Sequence, residues 1–300
     1  MSSVYWLARG GSALAKRTPR TVRHRLGNAA GGLSYAGWHA KRIVTQQNMA
    51  QITGLPVNHP RVRYLAFTSW YNYGRYASDF MYFPHIDLDC LEQQTIDMTR
   101  EADSWQGHLE AALAPGRGTV VATAHFGNWD VAGAILARHF PLAAVAETFS
   151  DKRLNTLLQN QRIEKGMSII PMEGSARRIL RVLQQNQGVA IVVDRPLSAT
   201  EGVPVTFFGR TTYVPAGPAA LALKSGASIM PGYVWYGPKQ RFFIRSFAPI
   251  FPEEARGKDK QSATVYLTQR IYDRLEEMVR AWPTQWYMFR AFWPAQPAQA

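Results

Sequence analysis

The sequence of 300 residues predicts an α/β fold in which a central, mostly parallel mixed sheet is flanked by helices and preceded by a basic amphipathic helical segment. From Gly118 onward, short β-branched apolar runs alternate with longer helical segments, a pattern typical of parallel strands joined by helices. Before that point, basic and aromatic residues recur at helical spacing. We expect a helical, membrane-interface segment at 1–84 packed on the core, an α/β domain at 85–294 and a disordered Pro/Ala/Gln tail at 295–300.

The N-terminal segment contains two predicted helical regions. Residues 1–50 indicate one or two amphipathic helices, broken at Thr18-Pro19 and at Gly31-Gly32. Residues 60–83 carry an aromatic stripe, which is typical of a helix facing the core but could equally line a groove for an apolar chain. Its members are Tyr64, Phe67, Trp70, Tyr71, Tyr73, Tyr76, Phe80, Tyr82 and Phe83.

The positive charge of the chain is concentrated at its N-terminal end. The formal net charge is +13, and the first acidic residue is Asp79. Such a segment needs an anionic partner, either nucleic acid or an anionic lipid surface. Trp and Tyr between the basic residues favour the lipid interface, and no RNA- or DNA-reading motif supports nucleic acid; an ordinary solvated basic face is the alternative. The basic residues before Asp79 are Arg9, Lys16, Arg17, Arg20, Arg23, Arg25, Lys41, Arg42, Arg61, Arg63 and Arg75.

The mode of membrane contact and the redox setting follow from composition. No stretch reaches the roughly 18–20 apolar residues that a spanning helix needs. Arg9 and the glycines after it interrupt the apolar start, so we expect no signal peptide and a peripheral, monotopic protein on the cytoplasmic face of the membrane. The single cysteine, Cys90, excludes an internal disulfide, and we expect it to pack rather than react.

The α/β region can be divided into elements in chain order. Strands are predicted at 119–124, 142–147, 168–171, 189–194, 228–235 and 241–247, and helices at 129–139, 151–165, 175–187, 217–224 and 262–281. Residues 195–215 are rich in Pro and Gly and predict a loop.

A histidine and an aspartate follow the first of these strands, in the segment Ala124-His125-Phe126-Gly127-Asn128-Trp129-Asp130. On a regular helix, His125 and Asp130 would point about 140° apart, so they meet only if the chain turns between them. Gly127-Asn128 tolerates such a turn. A histidine held by a carboxylate is a general base near neutral pH. The alternative is a core histidine beside an aspartate at a helix N-terminus.

Three polar residues come at or just after predicted strand ends, namely His125, Glu147 and Asp194. Ligands of parallel sheets collect at the carboxyl ends of the strands, so one crevice could hold all three. Other catalytic classes lack their motifs. No GxSxG elbow of a serine hydrolase occurs, and the seven histidines show no HExxH or paired arrangement for a metal.

The His-Phe-Gly-Asn-Trp-Asp segment resembles the HX4D site of glycerolipid acyltransferases, in the branch of the lipid A biosynthesis and phosphatidylinositol mannoside acyltransferases. The resemblance runs nearly end to end, through Gly107-His108-Leu109, Pro115-Gly116-Arg117-Gly118, Asp194-Arg195-Pro196, Val205-Thr206-Phe207-Phe208-Gly209, the run 215–223 and Pro283-Thr284-Gln285-Trp286.

The resemblance implies transfer of a long-chain acyl group from a thioester, on coenzyme A or acyl carrier protein, to a glycolipid hydroxyl. It implies His125 as base and Asp130 as its partner, with no metal and no cofactor beyond the thioester co-substrate. Backbone N–H groups around Gly127-Asn128, or Arg195, would stabilise the oxyanion. The candidate substrate-binding residues are Asn128, Glu147, Arg195, Glu201, Phe208 and Gly209.

The acceptor is the least determined substrate. Relatives that acylate mannolipids use a glutamate after the Asp-Arg element, where this chain has Pro204, so that Glu201 is the nearest candidate. Ala146-Glu147 resembles the mannolipid branch, and the absence of a predicted spanning helix also favours a phosphatidylinositol-mannoside-like acceptor. A secondary acyltransferase of lipid A and a non-catalytic protein of the membrane surface are the alternatives.

Overall fold

The computed structural model describes residues 3–100 and 102–294, so the predicted tail at 295–300 lies outside the described residues. The predicted fold class is confirmed, because a mostly parallel seven-stranded sheet lies at the centre with helices around it. Its strands are β1 (Ile96–Asp97), β2 (Thr119–Thr123), β3 (Leu142–Ala146), β4 (Ser168–Pro171), β5 (Gly188–Val192), β8 (Ser228–Tyr236) and β9 (Phe242–Ser246), and β6 (Val203–Phe207) with β7 (Arg210–Val214) forms a separate hairpin.

The helices of the chain fall into two groups along the sequence. The N-terminal group is α1 (Ser3–Arg17), α2 (Arg20–Gly37), α3 (His39–Thr53) and α4 (Pro60–Tyr82). The others are α5 (Leu88–Gln94), α6 (Trp105–Leu113), α7 (Trp129–His139), α8 (Lys152–Ile163), α9 (Ala176–Gln184), α10 (Gly217–Ser225) and α11 (Lys260–Ala281). No helix among the described residues is long and apolar enough to cross a membrane.

The sheet places β2 at its centre. The strand order is β1-β9-β8-β2-β5-β3-β4, and every neighbouring pair is parallel except β8 with β9. Val121 of β2 lies opposite Ala190 of β5 on one side and Met230 of β8 on the other. Apolar side chains on both faces of the sheet are buried, as expected for parallel strands covered by helices.

The predicted break at Gly31-Gly32 is wrong, since α2 continues to Gly37 and the chain bends at Trp38 instead. The glycine serves packing against α4. A Cβ on Gly31 would lie 2.1 Å from the carbonyl oxygen of Trp70, and one on Gly74 would lie 2.0 Å from that of Gly27. Glycine usually weakens a helix by about 1 kcal/mol, but here it lets two helix backbones touch.

Two smaller expectations also fail. The predicted loop at 195–215 contains the β6–β7 hairpin, in which Val203 pairs with Val214, because alternate residues such as Val205 bury their side chains. Cys90 was expected to pack, but it is exposed on α5, with Sγ accepting a hydrogen bond from Gln94 Nε2 at 3.0 Å.

Candidate active site

A cavity of about 710 Å³ opens at the carboxyl ends of β2, β3 and β5. The aromatic stripe of α4 forms much of one wall, with Trp70, Tyr73, Tyr76 and Phe80 all lining it. The alternative in which the aromatic stripe lines a groove is therefore correct for part of the helix. These four rings border the cavity, whereas Tyr64 on the same helix is exposed to solvent.

His125 lies in this cavity, directly after β2. Its backbone is held by the segment after α11, because Tyr287 N–H donates to the His125 carbonyl at 2.8 Å. The turn that follows requires glycine. Gly127 has φ +56°, and a Cβ there would lie 2.1 Å from the carbonyl oxygen of Val234. The side chain of His125 remains 47% accessible although the surrounding strand ends are buried.

The partner of His125 is Asp194, which follows β5. Its Oδ1 lies 2.9 Å from His125 Nδ1, and the carboxylate also accepts from the His125 backbone N–H at 3.1 Å and from Trp286 Nε1 at 2.8 Å. Asp194 is fully buried. Since a carboxylate accepts only, Nδ1 carries the proton and Nε2 is the free acceptor on the cavity side of the ring.

The electrostatic surroundings prepare His125 for proton transfer. Burial lowers the pKa of His125, but the charge and hydrogen bond of Asp194 outweigh burial, so the pKa is raised above its ordinary value. Arg290 opposes this rise and Asp130 adds to it. A base with a raised pKa accepts a proton more readily from the acceptor hydroxyl.

The predicted pairing of His125 with Asp130 is wrong. Asp130 Oδ1 accepts from Arg162 Nε at 2.6 Å, and Oδ2 accepts from the hydroxyl of Tyr76 at 2.7 Å. The reason is that α7 begins at Trp129, so Asp130 is in the first helical turn and points towards α4 and α8. Asp130 still lines the cavity, but it holds Arg162 rather than the histidine.

The backbone N–H groups that were expected as oxyanion donors are already engaged. Gly127 N–H donates to the carbonyl of Gln285 at 2.8 Å, and Asn128 N–H donates to that of Val234 at 2.9 Å. The Asn128 side chain is buried and caps α7 by accepting from Val131 N–H at 3.1 Å. Asn128 therefore shapes the turn and does not line the cavity.

Of the remaining candidate substrate-binding residues, two line the cavity and three do not. Glu147 and Arg195 line the cavity and are exposed there. Glu201 does not; Ser198 hydrogen bonds engage its carboxylate and lower its pKa. Phe208 and Gly209 form the turn of the β6–β7 hairpin, with the Phe208 ring in the core.

Sequence reasoning missed several cations of the cavity. Arg162 comes from α8, Lys41 from α3 and Arg290 from the segment after α11. No local motif marks them, because each reaches the site from a distant part of the chain. Within the part of the chain that the structure describes, no group of three or more His, Cys, Asp or Glu side chains is placed to hold a metal ion.

Comparison with known proteins matches residues 1–294 to the family model described as bacterial lipid A biosynthesis acyltransferase. Phosphatidylinositol mannoside acyltransferase of Mycobacterium tuberculosis is 31% identical over 278 residues, covering 90% of this chain and 82% of that protein. Its counterpart in Mycolicibacterium smegmatis is 30% identical over 274 residues, covering 88% and 83%. The crystal structure of the 1-acyl-sn-glycerophosphate acyltransferase PlsC of Thermotoga maritima aligns at 12% identity and a TM-score of 0.38, over 87% of this chain and 98% of that one. The last likeness is too weak to bear on function.

Proposed function

Because this chain belongs to the bacterial lipid A biosynthesis acyltransferase family and is an O-acyltransferase, we propose that it moves a long-chain acyl group from a thioester to a glycolipid hydroxyl, with His125 as general base. The family predicted from the sequence motifs is confirmed. The observation that carries the proposal is the hydrogen bond between His125 and the buried Asp194 at the wall of a large cavity.

The proposed reaction needs no covalent enzyme intermediate, because a thioester is already activated. His125 Nε2 takes the proton of the acceptor hydroxyl as its oxygen attacks the thioester carbonyl. The resulting tetrahedral intermediate collapses when the C–S bond breaks, and the imidazolium returns the proton to the leaving thiolate. Asp194 keeps Nδ1 protonated and stabilises the imidazolium. Asp130 was expected to hold His125, but its carboxylate positions Arg162 instead.

Charge in the cavity supports anionic substrates. Lys41, Arg195 and Arg290 line it without an ion pair to a carboxylate among the described residues, and Glu147 is the exposed acid nearby. Since backbone N–H groups at the turn are engaged, Arg195 and Arg290 are the proposed donors for the developing oxyanion. Coenzyme A and acyl carrier protein are both anionic, so this charge suits either carrier.

The acceptor we propose is a phosphatidylinositol-mannoside-like glycolipid. Two curated relatives of this chain, at 31% and 30% identity, are named for acylating such a lipid. Glu147 lines the cavity and could accept a hydrogen bond from a sugar hydroxyl. The family model is named for lipid A, which keeps a lipid A precursor as the second candidate acceptor.

We also propose peripheral binding to an anionic membrane, on its cytoplasmic face. The outer sides of α1 and α2 expose apolar side chains beside basic ones, including Leu14, Val22 and Leu26. Trp38, which follows the last residue of α2, is exposed and lines the cavity together with Lys41, so the cavity opens at the C-terminal end of α2. A lipid acceptor could then reach His125 from the interface.

The test of the enzyme is the loss of activity in His125→Ala. Removing a general base lowers turnover by about 10²–10⁴-fold. A matched control is His139→Ala, whose imidazole is paired with Glu92 away from the cavity. Acyl transfer would be followed by thiol release and by mass spectrometry of the lipid product. A His125→Ala protein within about threefold of wild type would exclude the general-base mechanism.

The acceptor would be tested by mass spectrometry of lipids from a strain that lacks the protein, and by transfer to purified acceptors. Loss of an acylated mannoside supports the proposal. An unchanged glycolipid profile with altered phosphatidic acid would overturn it in favour of glycerol-phosphate acylation, and altered lipid A would favour the second candidate.

A further inference from the structure

A second cavity of about 180 Å³ lies between α2, the 83–94 region and the turn that joins β8 to β9. It shares no lining residue with the His125 cavity. Three arginines border it, Arg20, Arg23 and Arg241, together with the aromatic rings of Tyr82 and Phe242. None of these residues takes part in the reaction proposed for His125.

Arg23 is a buried cation in the wall of this cavity, at 7% exposure. Its guanidinium stacks 3.8 Å from the centre of the Tyr82 ring, and Nη1 donates to the Thr18 carbonyl at 3.3 Å. Nε has no hydrogen-bond partner among the residues that the structure describes. Nε is closed to solvent and cannot itself contact a ligand. Nη1 and Nη2 carry four N–H bonds between them, more than the Thr18 carbonyl and Asp79 engage, so the guanidinium retains donors for a ligand in the cavity that it lines.

The two carboxylates that line the same cavity, Asp79 and Asp87, are already engaged. Asp79 lies 3.6 Å from Arg23 Nη2, but it also binds His24 Nε2 at 2.6 Å and accepts from the hydroxyl of Tyr236 at 2.9 Å. Asp87 caps α5 by accepting from the N–H groups of the following helical turn. The carboxylates therefore leave part of the arginine charge uncompensated.

The other two arginines, Arg20 and Arg241, supply further N–H donors and further positive charge. Arg20 is the first residue of α2, lies 5.6 Å from the centre of the Phe242 ring, and follows Pro19, which offers no side-chain cap. Arg241 is exposed at the end of the β8–β9 turn. A guanidinium stacked on an aromatic face keeps its in-plane N–H groups free for an oxyanion.

We propose that this cavity binds a phosphate group. A phosphate group offers more acceptor oxygens and more negative charge than a carboxylate, and its tetrahedral oxygens can accept from several guanidinium groups at once. The group could come from a lipid headgroup or from a soluble phosphate compound. The neighbouring exposed apolar residues of α1 and α2, Leu14 and Val22 among them, favour the headgroup, and this choice rests on the membrane association proposed above.

The first experiment uses the full-length protein and inorganic phosphate, titrated against chloride at constant ionic strength while the Tm is followed. The test variant is Arg20→Gln/Arg241→Gln. The control is Arg17→Gln/Arg25→Gln, which removes the same charge from exposed positions that do not line the cavity. Wild type and control should show a saturable rise in Tm, and the test variant should need about tenfold more phosphate.

The second experiment identifies the source of the phosphate. Binding is compared between phosphatidylcholine vesicles with phosphatidic acid and vesicles with oleate, adjusted to equal surface charge. Wild type and control should prefer phosphatidic acid, and the Arg20→Gln/Arg241→Gln protein should lose that preference.

Three results would overturn these assignments. No saturable phosphate effect in wild type, or equal responses of the two double variants, would overturn the site itself. If phosphate binds specifically but the Arg20→Gln/Arg241→Gln protein keeps the wild-type preference for phosphatidic acid vesicles, a lipid headgroup is overturned as the source of the phosphate. Neither readout uses acyl transfer, so failure of the proposed reaction would be seen separately.

Discussion

The substitution Asp194→Asn tests the link between the fold and the chemistry. The Asp194 carboxylate is fully buried and accepts hydrogen bonds from His125 Nδ1, the His125 backbone and Trp286 Nε1. An amide is nearly isosteric, but half of it donates instead of accepting. One of these donors would then meet an N–H group, or His125 would change its tautomer to present Nδ1 as an acceptor.

The size of the effect follows from the tautomer. If Nδ1 accepts from the amide, Nε2 carries the proton and can no longer act as the base. The comparable Asp-to-Asn change in a serine protease lowers turnover about 10⁴-fold. We expect a loss of about 10²–10⁴-fold in kcat, and a stability cost of about 1–3 kcal/mol if a donor is left without an acceptor.

The pH profile gives an independent readout. A general base works when neutral, so kcat/KM rises with pH as His125 loses its proton. Asp194 is the group that raises the pKa of His125 against the effect of burial. Its neutralisation should lower that pKa, and the acidic limb of the residual activity should move to lower pH. Acyl transfer to a water-soluble alcohol, measured across pH, avoids effects of the membrane.

Asp130→Asn is the matched control, because this carboxylate also lies close to the histidine but is bonded to Arg162 and Tyr76. It should move the acidic limb less than Asp194→Asn does. The His125→Ala/Asp194→Asn protein should be no slower than the slower single variant, since the two residues act as one unit. Near-normal turnover of Asp194→Asn, together with a large shift of the limb in Asp130→Asn, would refute the assignment.

Three further results are expected. Gly127→Ala should lower the free energy of unfolding in urea by about 1–3 kcal/mol or more, because a positive φ is strained and the new Cβ would collide with the Val234 carbonyl; an unchanged midpoint would contradict the turn geometry. Tyr76→Phe should cost about 1–3 kcal/mol, because a buried carboxylate loses its hydroxyl donor; thermal unfolding would measure it, and an unaltered Tm would mean that water replaces the hydroxyl. Arg17→Gln/Arg25→Gln should weaken binding to anionic vesicles by roughly 1 kcal/mol per charge at low salt, and far less at high salt; sedimentation that ignores both the charges and the salt would contradict an electrostatic interface.

Much of the fold was predictable because its signals are local. Each strand predicted after Gly118 is a strand of the seven-stranded sheet, and the helices between them fall within a few residues of their predicted limits. The errors occur where a residue serves a distant contact. Gly31 was expected to end a helix, and instead it allows α2 to approach α4. Nothing in its own neighbourhood indicates the helix on the other side.

In the candidate site, too, local features were predictable and long-range contacts were not. The sequence by itself determined that His125 stands at a strand end, and that Glu147 and Asp194 stand at two others, because strand ends are marked by local composition. Only the tertiary structure decided which carboxylate holds the histidine. Asp130 is five residues away along the chain, but the start of α7 turns it towards Arg162. Asp194 is 69 residues away, and the pairing of β2 with β5 brings it to 2.9 Å, because adjacent parallel strands deliver their next residues to the same edge.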